Sequence, residues 1–272
     1  MKIGYVVLTA GLVVAGLASQ AAFAADLPTK AYRAPPAAAP VANWTGWYVA
    51  GGGGYGLYDA ESSSAFIVPG PASFAASNGT TGGKGYFGRV QTGYDYQFAN
   101  TWVLGVFADY DFSSIKGTAV DTSAGLFALN GGLGAAVPLK QTSAYAVGGR
   151  IGYLVNPAFL TFFEGGYAHA SFKGGAETST VVAPGFVFGV ANGLTLPNQG
   201  FSGYFLGGGT EYMILPGWFV KSEYRVANYG SQTTNLIRVA PALAAFTSAT
   251  YTLKPVVQTV SAELVYKFNW GR

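Results

Sequence analysis

The sequence predicts an all-β fold: an eight-stranded antiparallel up-and-down transmembrane β-barrel with short periplasmic turns and four long extracellular loops. Three observations carry this. Half of the 272 residues are apolar and only 10% are charged, against roughly a quarter charged in ordinary soluble domains. Beyond the amino-terminal segment, however, no continuous run of about 20 apolar residues offers a membrane helix. Apolar and polar residues instead alternate with the period of two of a β-strand, and the connections between the alternating segments are short and long in strict turn, as in an outer-membrane barrel.

Residues 1–24 read as a secretory signal peptide. Lys2 supplies the positive start, Val6 to Ala18 is a short apolar run, and Ala22-Phe23-Ala24 is a small-x-small cleavage site, placing the cut between Ala24 and Ala25. Export through a cleaved signal to the outer membrane of a Gram-negative envelope is the expected localisation. Residues 25–43 are rich in Pro and Ala, which disfavour both a strand ladder and a packed core, and read as an extended periplasmic leader. Residues 44–272 form the barrel domain. Removing Lys2 from 15 basic residues leaves 14 against 12 acidic, a net charge of +2, which gives no basis for a nucleic-acid partner. The chain has no Cys, so neither a disulfide nor a lipid-modified cysteine is available.

The eight alternating segments fall at about 44–58, 85–98, 102–115, 142–155, 159–172, 201–214, 218–229 and 256–270. Asn100-Thr101, Asn156-Pro157 and Pro216-Gly217 are tight turns between them, whereas 59–84, 116–141, 173–200 and 230–255 are long and rich in Gly, Ser, Thr and Ala. The pattern is plainest after Pro216-Gly217, where Trp218, Val220, Tyr224 and Val226 share one face and Lys221, Glu223 and Arg225 the other. In a barrel spanning lipid the apolar face points out and the charged face into the lumen. The same reading turns Leu104 and Leu264 outward, and gathers Phe98, Trp102, Tyr153, Phe159, Trp218 and Trp270 beside the short turns as an interfacial girdle.

The inward set is then Arg89, Asp95, Asp109, Asp111, Arg150, Glu164, Glu211, Lys221, Glu223, Arg225 and Glu263, which mixes both signs and should form a desolvated ion-pair network. Eight strands enclose a lumen just wide enough for side chains to fill it, so a structural barrel is favoured over the alternative, a small outer-membrane porin or channel. Gly148, Gly149, Gly152, Gly207 and Gly209 leave room near the wall that water could occupy.

The chain resembles the alphaproteobacterial outer-membrane surface-antigen family of Brucella and the rhizobia, relatives of the opacity and OmpA-like eight-stranded barrels. The carrying residues are Ala25-Asp26-Leu27-Pro28, Asn43-Trp44-Thr45-Gly46-Trp47-Tyr48-Val49 with the glycine run after it, and Leu264-Val265-Tyr266-Lys267-Phe268. The resemblance implies a surface-exposed protein involved in envelope integrity, with loops that contact host or surface ligands. Some relatives bind haem; the only histidine here, His169, matches no family ligand motif, and no cofactor is expected. Barrels of this kind end in an aromatic residue read by the barrel assembly machinery, which selects Phe268 or Trp270.

No catalytic constellation is present in the sequence, so an enzyme is not expected. A Ser-His-Asp arrangement would have to use His169, and no Ser stands in a nucleophile elbow. Gly51 to Gly54 lack the strand-to-helix setting of a phosphate loop. Lys84, Lys116, Lys140, Lys173 and Lys254 each lie about 14–18 residues from the periplasmic end of their strand, which predicts a collar of cations above the apolar band, placed for the phosphates of lipopolysaccharide.

Overall fold

A computed structural model of the protein describes residues 43–67, 74–121, 132–183, 186–238 and 248–268. The predicted signal peptide with its expected Ala24–Ala25 cleavage site, most of the predicted leader, and Trp270 lie outside the described residues. Every regular element described is a strand: β1 (Gly46–Ile67), β2 (Phe74–Phe98), β3 (Trp102–Asp121), β4 (Gly132–Asn156), β5 (Phe159–Lys173), β6 (Ala176–Ala183), β7 (Phe186–Thr195), β8 (Gln199–Leu215), β9 (Trp218–Tyr229), β10 (Gln232–Asn235), β11 (Ile237–Arg238) and β12 (Ser248–Lys267).

Eight of these strands close a ring of antiparallel pairs in the order β1-β2-β3-β4-β5-β8-β9-β12 and back to β1. The register fixes the barrel's slope. Stepping around it through directly opposed residues, Lys173 leads to Lys140, Lys116, Lys84, Leu57, Gln258, Val226, Leu206 and finally Gly165 on the starting strand. That walk returns 173 − 165 = 8 residues lower, but it runs above bulges in β3–β4 and β4–β5. Below them, from His169 through Tyr145, Tyr110, Val90, Gly51, Leu264, Val220 and Tyr212 to Phe159, the return is 169 − 159 = 10 residues, a shear of ten for eight strands, which sets the strands at about 43° to the axis.

The short turns follow their chemistry. Gly217 has φ 83° after Pro216, the positive φ that a type II corner demands and that glycine adopts without strain. Ala99 and Asn100 both have positive φ (49° and 61°), so the first turn is centred one residue earlier than Asn100-Thr101. Gln97 steadies it by donating from Nε2 to the Asn100 carbonyl at 2.8 Å. At the next turn Asn156 Oδ1 accepts from the Ala158 amide at 2.9 Å, an Asx-type stop.

The structure corrects the long connections. Most of 59–84, 116–141 and 173–200 is strand: β1 stays paired with β2 out to Ile67 and Phe74, β3 with β4 out to Asp121 and Ala135, and a β6–β7 hairpin continues the sheet from the tip of β4. Gly, Ser and Thr were read as loop signals, but a strand with a hydrogen-bonded neighbour on both sides needs no large side chains to persist. The closing strand begins earlier than expected, at Ser248, and ends earlier, at Lys267 rather than residue 270, with Phe268 in a turn. With 22 residues in β1, at about 3.3 Å each and this tilt, the hairpins rise roughly 53 Å, well beyond an apolar band about 25 Å tall.

The outer face carries the apolar and aromatic set, with Trp47, Tyr86, Val106, Phe163 and Leu206 all exposed. Paired rings such as Trp102–Tyr153 at 5.2 Å and Trp218–Tyr266 at 4.8 Å stand beside the periplasmic turns. Two apolar layers plug the lumen. At the periplasmic end Trp44, Tyr48, Val103, Leu160, Phe219 and Val265 are buried, and the Trp44 Nε1 donates to the Pro157 carbonyl at 3.1 Å. At the other end Tyr58, Ile115, Leu139, Phe172, Phe201 and Leu253 are buried, with Phe172 edge-on to Tyr58 at 5.8 Å and to Phe201 at 5.5 Å.

Candidate functional site

Between the two plugs lies the charge network. All eleven residues assigned to the lumen are buried and each takes part in an ion pair. They fall into two groups. In the lower group, Arg150 grips Asp95 with both forks, Nε to Oδ1 at 2.9 Å and Nη2 to Oδ2 at 2.5 Å, and reaches Glu211 at 3.2 Å. Lys267 Nζ completes the group, 2.5 Å from Asp95 and 3.4 Å from Glu211. In the upper group Arg89 holds Asp111 in the same bidentate way, at 2.7 and 2.9 Å, and Glu223 at 2.5 Å. Lys221 bridges Glu223 and Glu263 at 3.1 and 2.9 Å. Arg225 gathers Asp109, Glu164 and Glu223 at 2.9 to 3.1 Å. Such bidentate, charge-assisted bonds are the strong ones.

A recurring device lets opposite charges meet. Asp95, Gly105 and Arg150 occupy one row on β2, β3 and β4; Glu164, Gly207 and Arg225 one row on β5, β8 and β9; Arg89, Gly52 and Glu263 one row on β2, β1 and β12. In each the central strand contributes a glycine, and the flanking charges reach across it. A Cβ on Gly105 would collide with Asp95 Oδ1 and lie 3.1 Å from Arg150 Cγ, and one on Gly207 would lie 3.0 Å from Glu164 Oε1. The expectation that wall glycines leave space for water is corrected here: Phe205 fills the space beside Gly148, Leu160 that beside Gly152, Glu164 that beside Gly207 and Phe162 that beside Gly209, while Gly149 has only the Gly105 carbonyl nearby. A cavity of about 20 Å³ remains beside Arg89, Asp109, Arg225 and Tyr229, room for roughly one water.

Aromatic rings lie against the cations. The Arg225 guanidinium sits 4.3 Å from the Phe205 ring centre, Arg150 4.8 Å from Tyr48, and Lys267 Nζ 5.0 Å from both Trp44 and Tyr48. Two members were missed in the sequence. Lys267 shares inward parity with Glu263, a signal that was available but went unused, whereas nothing in the alternation showed that Trp44, two residues ahead of β1, folds under the barrel.

On the outer surface Lys84, Lys116, Lys140 and Lys173 stand directly opposite one another on β2, β3, β4 and β5. They form a ladder rather than part of an even collar. Lys254 is apart from it on β12, opposed to Glu61. His169 stacks on Tyr145 at 5.0 Å, its Nδ1 3.1 Å from Ser202 Oγ; among the described residues no group of side chains is arranged to hold a metal ion. Phe268 is exposed at the end of β12.

A closed eight-stranded ring, apolar and aromatic outside, with its lumen filled by salt bridges, defines an integral outer-membrane β-barrel. The sequence model of the autotransporter β-domain family matches residues 32–218. The 31 kDa outer-membrane immunogenic protein of Brucella melitensis is 31% identical over 233 residues, covering 83% of this chain and 88% of that protein. The chain belongs to this family of outer-membrane barrels and resides in the outer membrane. The 22 kDa outer membrane protein of Rhizobium leguminosarum is 28% identical over 197 residues, 72% of this chain and 70% of that protein. The crystal structure of OprG from Pseudomonas aeruginosa shares the fold, with a TM-score of 0.53 at 15% identity over 84% of this chain and 99% of that one.

Proposed function

We propose that this outer-membrane surface protein is a non-conducting, non-enzymatic barrel that reinforces the envelope and presents its long hairpins to ligands at the cell surface. The observation that carries this reading is the filled lumen: two apolar plugs enclose a salt-bridged layer in which the cavity beside Arg89, Asp109 and Arg225 holds only about 20 Å³. A solute path would require breaking buried pairs, each costing roughly 3–5 kcal/mol when one partner is lost. During biogenesis the exposed aromatic end at Phe268 serves the barrel assembly machinery.

The test is reconstitution of the purified protein in planar bilayers, with a deletion strain challenged by detergent in parallel. The expected result is a flat current trace together with detergent sensitivity that the wild-type gene restores. Reproducible unitary conductance steps from the folded barrel would overturn the reading in favour of a small channel. A deletion strain with an unchanged envelope would remove the reinforcing role.

A further inference from the structure

We propose that the lysine ladder on β2–β5 is a binding site for the phosphate-bearing headgroup of lipopolysaccharide. Like charges directly opposite one another on adjacent strands destabilise a sheet. Here four lysines are stacked so, Lys84 against Lys116, Lys116 against Lys140 and Lys140 against Lys173. Three strand spacings of about 4.8 Å make the ladder roughly 14 Å long. No described carboxylate lies within 4.0 Å of any of the four ammonium groups. Lys254, by contrast, faces Glu61. An arrangement that repels itself in isolation becomes favourable when anions lie along it.

Its height identifies the anion. With strands tilted about 43°, the row falls by about 3 Å per strand from Lys173 to Lys84, so all four sit within a belt roughly 10 Å deep. Towards the periplasm the outward positions pass, through Ser114 on β3, Ser143 on β4 and Ser171 and His169 on β5, to exposed aromatic rings: Tyr86 on β2, Phe112 on β3, Tyr145 on β4 and Tyr167 on β5. The sequence of apolar band, ring and cation along each strand is that of a side-chain column passing from acyl chains to headgroups. Ammonium groups meet phosphates there as compact point charges.

A second, independent feature lies at the upper end of the ladder. Thr142, Ser171, Lys173, Asn198, Gln199 and Gly200 line a notch of about 380 Å³. The notch opens beside Lys173, the outermost cation of the ladder. The remainder of the described wall at this height offers no comparable set: the outward residues on β8 and β9 there include Ser202 and Asn228 but no Lys or Arg. The site is therefore confined to one flank of the barrel.

The experiment uses the folded full-length barrel in detergent and three probes: purified deep-rough lipopolysaccharide, the same material enzymatically dephosphorylated, and phosphatidylglycerol. The four-fold variant Lys84→Gln, Lys116→Gln, Lys140→Gln, Lys173→Gln is compared with Lys254→Gln and wild type. Heat-modifiable migration reports whether each barrel is folded. A lysine at an anionic surface contributes roughly fivefold to binding, so the four-fold variant should bind lipopolysaccharide on the order of several hundredfold more weakly, and Lys254→Gln within about fivefold of wild type. Undiminished binding by the folded four-fold variant overturns the proposal. So does wild-type protein that binds the dephosphorylated material, or phosphatidylglycerol, as well as it binds lipopolysaccharide; these wild-type arms decide the matter even if the variant fails to fold.

Discussion

Arg150 reaches across the backbone of Gly105 to hold Asp95, two strands away, through Nε at 2.9 Å and Nη2 at 2.5 Å. The pair exists because the strand between them has no side chain at that row. Sequence position alone would separate them by 55 residues; the barrel register makes them neighbours.

Gly105→Val should therefore break the pair by steric exclusion and leave two charges misplaced in a buried layer, at a cost on the order of 3–5 kcal/mol. Gly149→Ala is the control, since only the Gly105 carbonyl at 3.6 Å lies near its Cβ position, and removing a strand glycine should be neutral or gain up to about 1 kcal/mol. Urea titration in lipid vesicles measures both. Equal costs at the two glycines would contradict the row-spanning arrangement.

Glu223 is the hub of the upper group, within 3.1 Å of Arg89, Lys221 and Arg225. Glu223→Gln should destabilise the barrel by about 3 kcal/mol or more by leaving buried cations under-neutralised. Combining it with Lys221→Met should recover part of this, with a coupling of roughly 0.5–3 kcal/mol in a double-mutant cycle. Strict additivity would mean that these charges are solvated and the lumen is wet.

Lys267→Met keeps the length of the side chain and removes the charge that touches Asp95 and Glu211. The expected loss is on the order of 3 kcal/mol. Glu211→Gln in the same chain should restore some of it, because one unpaired carboxylate is then gone. A Met variant as stable as the parent would show that Arg150 alone suffices for both acids.

On the lipid side, Val220→Arg and Leu104→Arg should each cost about 2–4 kcal/mol if near the midplane, read by the same titration. Gln91, inward on β2, makes a poor neutral comparator because its Oε1 accepts from Lys221 Nζ at 2.5 Å. Ser222, outward and exposed between Lys221 and Glu223, is a better one for polar exchange, and Ser222→Thr should stay within about 0.5 kcal/mol. Arginine tolerated at Val220 and Leu104 would reverse the face assignment.

The period of two made the barrel legible, because lipid and lumen impose opposite demands on successive residues: Trp218, Val220 and Tyr224 could face only one way once Lys221, Glu223 and Arg225 faced the other. The height of the four ladder lysines could be counted from the turns. Their direct opposition could not, since register depends on bulges such as that between Gln141 and Ser143, which leave no mark in composition. The strand extensions above the membrane were illegible for a related reason. Their Gly, Ser and Thr residues are turn formers in isolation, and only pairing on both sides decides that 59–67 and 74–84 continue as β1 and β2. Trp44 was beyond reach because a plug is defined by what it covers, and its neighbours Phe219 and Lys267 lie far along the chain.

Lys267 is the last residue of β12, and its ammonium meets Asp95 across 172 positions of sequence. That contact also reaches Glu211 on β8, so one terminal side chain touches both halves of the wall. Without β12 in place against β1, Asp95 and Glu211 would share Arg150 alone. The seam and the neutralisation of the lower layer are consequently coupled: the pairing that closes β12 on β1 also brings in the second cation for Asp95 and Glu211.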